Sequence, residues 1–125
     1  MFPDCDFHLV DSIGKKIKVV NEVSNSLGLK NVTSAHIRAE EVKGSYDYVV
    51  SRAVTRLAPF YDWIEDKIDY SRFTNSGFYA LKGGDLGEEI KAFKSAYKDA
   101  HVTTYDISDK LKDEFFETKK ILFVN

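Results

Sequence analysis

Cysteine is nearly missing from this sequence: Cys5 is the only one in 125 residues. That excludes an internal disulfide framework and a cysteine-based zinc site, and leaves a lone thiol compatible with a reducing compartment. Proline is almost as scarce, with 2 residues, and glycine is ordinary, with 7, so fibrous and low-complexity classes are excluded. Charge of one sign is also lacking. Lys and Arg number 18 against 20 Asp and Glu, a net charge of −2, so no global basic field advertises a nucleic-acid partner. An enzyme touching RNA only through a local patch remains compatible with that balance. No apolar run approaches the roughly 18 residues of a membrane span, and no basic-then-apolar leader pattern opens the chain. A soluble, cytoplasmic protein with no membrane partner is expected. There is no repeat, linker or low-complexity stretch, and 43% hydrophobic content supports a real core. One domain over residues 1–125 is therefore predicted.

What is present alternates in type. Phe7 to Val10 is a short apolar run bounded by acids, suited to a strand buried on both faces. A helix follows, with Ser12 as its predicted N-cap and Ile13, Ile17, Val20, Val23 and Leu27 along one face. Gly28 stands where a helix C′ glycine belongs, and Leu29 can fold back onto the last turn. Asn31 to Ile37 is the next predicted strand, and after a Gly44 turn Tyr46 to Ser51 is a third. A helix is predicted from about Ala58 to Ile68, because Pro59 is tolerated only in a first turn; Leu57, Phe60, Tyr61 and Ile64 form its apolar side. Gly77 to Lys82 reads as a strand closed by Gly83-Gly84, and Leu86 to Tyr97 as a helix with Ile90 and Phe93 inward. His101 to Asp106 and Lys119 to Val124 read as final strands, with Ile107 to Thr118 a loop or hairpin arm. Strand and helix alternating at roughly 30-residue intervals predict βαβ units and a parallel sheet. The last two strands lack a helix between them and should pair antiparallel at one edge.

In open α/β sheets, ligands bind beyond the carboxyl ends of the strands. Four pairs end predicted strands: Asp11-Ser12, Ala39-Glu40, Ser51-Arg52 and Lys82-Gly83. Asp11 offers two acceptor oxygens for the hydroxyls of a ribose, or it caps the helix that follows. Glu40 can stand beside an adenine with backbone amides near Ala39 reading the ring edge, or it is an exposed acid before a loop. Arg52 and Lys82 suit a phosphate, a carboxylate or the orienting of a base; as isolated cations they equally suit solvent.

Other chemistries lack their residues. His8, His36 and His101 fall in predicted strands without ligand-spaced partners, so no metal site is expected. No G-x-S-x-G is present, and Ser12, Ser51 and Cys5 have no local base. Gly83-Gly84 follows Lys82 instead of preceding it, the wrong order for a Walker phosphate loop. The Lys15, Lys16 and Lys18 cluster can meet a phosphate backbone or form a solvated helix face.

The strings around the strand ends are more specific than the pairs. Phe7-His8-Leu9-Val10-Asp11-Ser12-Ile13-Gly14-Lys15-Lys16 closely resembles the second strand and helix of the bacterial small-subunit rRNA guanine-N7 methyltransferases, also called glucose-inhibited division protein B or RsmG. Arg38-Ala39-Glu40-Glu41, Tyr46 to Ala53 and Phe78 to Gly84 resemble later blocks of that family, in order and at the right spacing. The resemblance implies a Rossmann-like class I methyltransferase fold, S-adenosylmethionine as cofactor, and 16S rRNA or the small ribosomal subunit as partner. The methyl acceptor it implies is N7 of a guanine. By the same resemblance Asp11, with Ser12, matches the ribose-holding acid, Ala39 and Glu40 the adenine pair, and Arg52 an arginine lining the cofactor and substrate pocket. Lys82 matches a lysine contacting RNA or seating the guanine; Arg52 and Lys82 are the expected catalytic residues.

The family pattern has a helical region, a first strand and a glycine-rich loop before these blocks, and Met1-Phe2-Pro3-Asp4 resembles the tail of the helix after that loop. Such a first strand lies at the sheet centre, so the sheet is expected to close by direct pairing or to borrow a strand in a homodimer. The competing readings are a catalytically incompetent fragment and a non-enzymatic α/β binding domain, such as a receiver-like module. The receiver-like reading lacks its acidic cluster at the first strand.

Overall fold

A computed structural model describes residues 2–52, 56–83, 86–107, 110 and 119–125. Strands β1 (Phe7–Asp11), β2 (Val32–His36), β3 (Tyr48–Arg52), β4 (Gly77–Gly83), β5 (Val102–Asp106) and β6 (Lys119–Val124) alternate with helices α1 (Gly14–Ser26), α2 (Leu57–Ile64) and α3 (Gly87–Ala96). The chain divides into two compact units, Met1–Lys43 and Gly44–Asn125. The predicted arm Ile107 to Thr118 lies outside the described residues apart from Ile107 and Lys110, and Gly84 of the predicted turn is also outside them.

In the first unit β1 and β2 pair in parallel, with Phe7 opposite Val32 and Asp11 opposite His36. Helix α1 makes the crossover, and its end follows the chemistry of its sequence. Gly28 adopts φ +66°, its N–H bonds the Asn25 carbonyl, and the Leu29 N–H reaches back to Ser24. This is a Schellman close, available because glycine has no Cβ to oppose the left-handed conformation. The start differs from expectation: Ile13 is the N-cap, and Ser12 makes no cap bond. The apolar face also differs. Ile17 is buried, but Ile13, Val23 and Leu27 are exposed, and so are Phe7 and Leu9 on the strand expected to be covered on both faces. A two-stranded ladder under one helix has too little surface to cover them.

The second unit contains nearly all the core. Its sheet runs β3-β4-β6-β5, with β3 and β4 parallel and β6 antiparallel to both of its neighbours. The predicted edge pairing of the last two strands is therefore present. Helix α2 begins at Leu57, one residue before the expected start, and passes at Glu65–Lys67 into a 3₁₀ turn instead of continuing to Ile68. Leu57, Phe60, Tyr61 and Ile64 are all buried, as their spacing predicts. On one sheet face Phe78, Ala80, Leu122 and Val124 are buried; Phe60 stacks on Phe78 at 5.1 Å, and Tyr61 meets Phe93 of α3 edge-on at 5.2 Å. The opposite face carries Tyr48, Val50, Tyr79 and Phe123, with Tyr79 stacked on Phe123 and Val50 70% exposed. Gly77 opens β4 because a Cβ there would run into the Val124 carbonyl.

The described strands form two separate sheets, which corrects the expected closure by direct pairing. Each parallel pair is closed by its own helical crossover, α1 in one and α2 in the other.

Candidate functional site

In the first unit both parallel strands end at the same edge, with Asp11 and His36 in register. One oxygen of the Asp11 carboxylate, Oδ1, accepts the Ile13 N–H at 2.8 Å, which turns the chain from β1 into α1. No bond to its second oxygen is present among the described residues, so the capping role leaves half of the carboxylate for another partner. Ser12 turns its carbonyl toward β2, where His36 Nε2 donates to it at 3.0 Å. The imidazole lies over Gly14, and a side chain there would crowd the ring. His36 thus ties the β1–α1 turn to the end of β2, a role the sequence does not signal because its partner is a backbone carbonyl 24 residues away.

Beyond β2, Ala39 and Glu40 open the 3₁₀ turn, closed by bonds from Glu41 N to the Arg38 carbonyl and from Val42 N to the Ala39 carbonyl. The first amides of such a turn have no partner within it and point outward from its start. Ala39 is half-buried and the Glu40 side chain is exposed. This unit therefore brings Asp11, Ser12, Ala39 and Glu40 to one edge, with an unengaged carboxylate oxygen and a turn N-terminus. These are groups able to receive hydroxyls and a heterocycle edge, so the donor and acceptor set fits an adenosine.

In the second unit Arg52 ends β3 and Lys82 lies near the end of β4, again at the carboxyl edge of a parallel pair. The pleat separates them. Arg52 is in register with Leu81, on the face of Val50 and Tyr79, whereas Lys82 shares the face of Ala80 and Phe78 beneath the helices. Arg52 is exposed and makes no ion pair among the described residues. Lys82 instead donates to Glu89 Oε1 of α3 at 2.9 Å, with side chains only 13% and 18% exposed. The same oxygen accepts the Leu57 N–H at 2.7 Å. Glu89 escapes sequence reading, since its partners are seven and 32 residues away and its only local mark is a place in the acidic first turn of α3.

A concavity of about 410 Å³ lined by Tyr61, Glu65, Tyr70, Tyr97 and Asn125 lies at the other end of this sheet, beside the amino end of β4. Burial and the Tyr70 hydroxyl, 3.0 Å away, push the Tyr61 phenol well above the usual tyrosine range. It is at the wrong edge for an α/β ligand site. Among the described residues no cluster of His, Cys, Asp and Glu could hold a metal, and no helix is long and apolar enough to cross a membrane.

Residues 1–116 match the family described as rRNA small subunit methyltransferase G. A curated relative from Cytophaga hutchinsonii, named Ribosomal RNA small subunit methyltransferase G, is 50% identical over 127 residues, covering 99% of this chain and 58% of its own. The chain thus spans somewhat under three-fifths of that relative's length. Among solved structures, an rRNA methylase from Streptococcus thermophilus superimposes with TM-score 0.67 at 8% identity, covering 96% of this chain and 72% of the other. A Streptococcus mutans protein crystallised with S-adenosylhomocysteine gives TM-score 0.61 at 10% identity, covering 95% and 74%. These likenesses give the fold as Rossmann-like and of the class I methyltransferase type. A family match over residues 1–116 of the chain makes it a member of the rRNA small subunit methyltransferase G family.

Proposed function

We propose that this chain forms part of a cytoplasmic S-adenosylmethionine-dependent methyltransferase acting on N7 of a guanine in 16S rRNA, as naked RNA or within the small subunit. The observation that carries the reading is the first unit's edge, where the free oxygen of Asp11 and the Ala39–Glu40 turn start lie at the ends of paired parallel strands. Both units are read as parts of one methyltransferase domain, and a homodimer is a further expectation of that reading.

Asp11 accepts the ribose hydroxyls with the oxygen not used by Ile13, and Ser12 follows it at the lip of the site. The Ala39 amide and Glu40 take the adenine edge. When bound, S-adenosylmethionine supplies an electrophilic methyl group that the in-plane lone pair of guanine N7 can take without prior deprotonation. No general base is therefore required of the protein, which has only to bind, orient and balance charge. Arg52 supplies an exposed cation to the purine edge or a neighbouring phosphate. Lys82, expected beside it as a second cation, is bonded to Glu89 and backs this edge from the other face of the sheet.

Calorimetric titration of S-adenosylhomocysteine tests the proposal, with the chain alone and with the part of the Cytophaga hutchinsonii relative outside the match added. The expected result is saturable binding that Asp11→Asn weakens about tenfold or more, the value of a charge-assisted hydrogen bond pair. Absence of saturable binding in both arms overturns it.

A further inference from the structure

We infer that Glu89 is the positioning residue of the second unit's edge, and that Lys82 acts through it instead of touching RNA or cofactor. The inference rests on reading that edge as part of the methyltransferase site. One carboxylate oxygen receives both the Lys82 ammonium, at 2.9 Å, and the first amide of α2, at 2.7 Å. Helix α2 needs such an acceptor, because its own N-cap residue, Arg56, makes no side-chain cap bond. Glu89 stands in the first turn of α3, where an anion is favoured by that helix as well.

Residues on the two sides of this edge are each held. Arg52 is fixed by the β3–β4 ladder opposite Leu81, and Leu57 is fixed by Glu89. Lys82 neutralises the carboxylate that makes the second anchor, from the face of the sheet opposite Arg52. With its ammonium bonded and its side chain largely covered, Lys82 is a strut. Arg52, exposed and on the other face, is a cation the unit presents at this edge.

Substitution at position 89 separates the two bonds. Glu89→Gln keeps an oxygen for the Leu57 N–H but withdraws the charge from Lys82; Glu89→Ala removes both. Amine acylation of the folded chain, read residue by residue by mass spectrometry across a pH series, reports on Lys82, and amide exchange reports on Leu57. In the parent chain Lys82 should acylate about tenfold or more slowly than exposed Lys15 and Lys18, an effect equivalent to one charge-assisted bond. Glu89→Gln should accelerate Lys82 while leaving Leu57 exchange near parent values, and Glu89→Ala should accelerate both. Lys82→Met should leave the salt dependence of binding to 16S rRNA unchanged, whereas a lost phosphate contact would lower that slope by about one. A Lys82 as reactive as Lys15 in the parent, indifference of its reactivity to Glu89→Gln, or a reduced salt slope would each overturn the inference. Failure of S-adenosylhomocysteine to bind would count against the site reading alone, since the acylation result needs no ligand.

Discussion

The two units are built on the same device, a parallel pair of strands joined through a helix, yet one is nearly all surface and the other holds the core. Among the described residues Ile17 is the only buried hydrophobic in the first unit, where Leu27 is 67% and Val23 50% exposed. In the second, Phe78, Phe93, Leu122 and Val124 are within 1% of complete burial. The difference is how many layers share the pair. β3 and β4 gain β6 and β5 on one side and two helices on a face, whereas β1 and β2 have α1 alone. The unit with the fitting adenosine groups is thus the one with less internal packing. Its geometry rests on hydrogen bonds, from the Ile13 N–H to Asp11 and from His36 to the Ser12 carbonyl, instead of on buried area.

The contrast predicts very unequal responses to truncation. Phe93→Ala removes a fully buried ring and should cost about 3–5 kcal/mol, enough to unfold the second unit in denaturant titrations followed by Trp63 fluorescence. Ile17→Ala should cost less, because the exposed neighbours along α1 can close over the gap, and its effect should be confined to amides of residues 7–36. Equal costs would mean that the first unit is as well packed as the second. A smaller effect arises at high pH. The Tyr61 phenol titrates above its unfolded value of about 10, so beyond that pH the unfolded state binds fewer protons than the folded one. Stability should fall as pH rises past about 10. Tyr61→Phe should reduce that alkaline slope, leaving the part due to Tyr79, whose phenol burial also raises, and cost about 1 kcal/mol at neutral pH through the lost Tyr70 bond. An unchanged slope would assign the alkaline loss to other groups.

The legibility of the sequence follows the same division. Apolar patterning located β1 to β6 and α1 to α3 but neither 3₁₀ turn, and in α2 it located the buried residues too, because a helix pressed between a sheet and α3 must bury its whole apolar stripe. In α1 the same pattern gave the helix but not its burial, since exposure depends on what else lies over the stripe. Strand-end logic put Asp11, Arg52 and Lys82 at the carboxyl ends of their strands and Ala39 and Glu40 just beyond β2, because a parallel pair brings its carboxyl ends to one edge whatever the side chains. It did not find that the pleat sets Arg52 and Lys82 on opposite faces, which depends on register. His36 and Glu89 were illegible because each acts on a backbone group distant in sequence, and backbone partners leave no residue type to recognise.

The smallest expected effect on stability is also the sharpest test of the contrast. Asp11 has two oxygens and the two proposed uses divide between them. Asp11→Ala removes the acceptor for Ile13 N and should destabilise the start of α1 by about 1 kcal/mol, the usual value of a lost cap. Asp11→Asn keeps a carbonyl oxygen for that bond and should cost only about 0.3 kcal/mol, within the range of surface changes. Amide exchange at Lys16 and Ile17, whose N–H groups bond the Ile13 carbonyl in the first turn, reads the difference directly. If Asn matches Ala, the negative charge itself holds the turn, and weaker cofactor binding by Asp11→Asn would then report a deformed site. If Asn matches the parent, the first unit keeps its edge by hydrogen bonding alone, and any loss of binding belongs to the free oxygen.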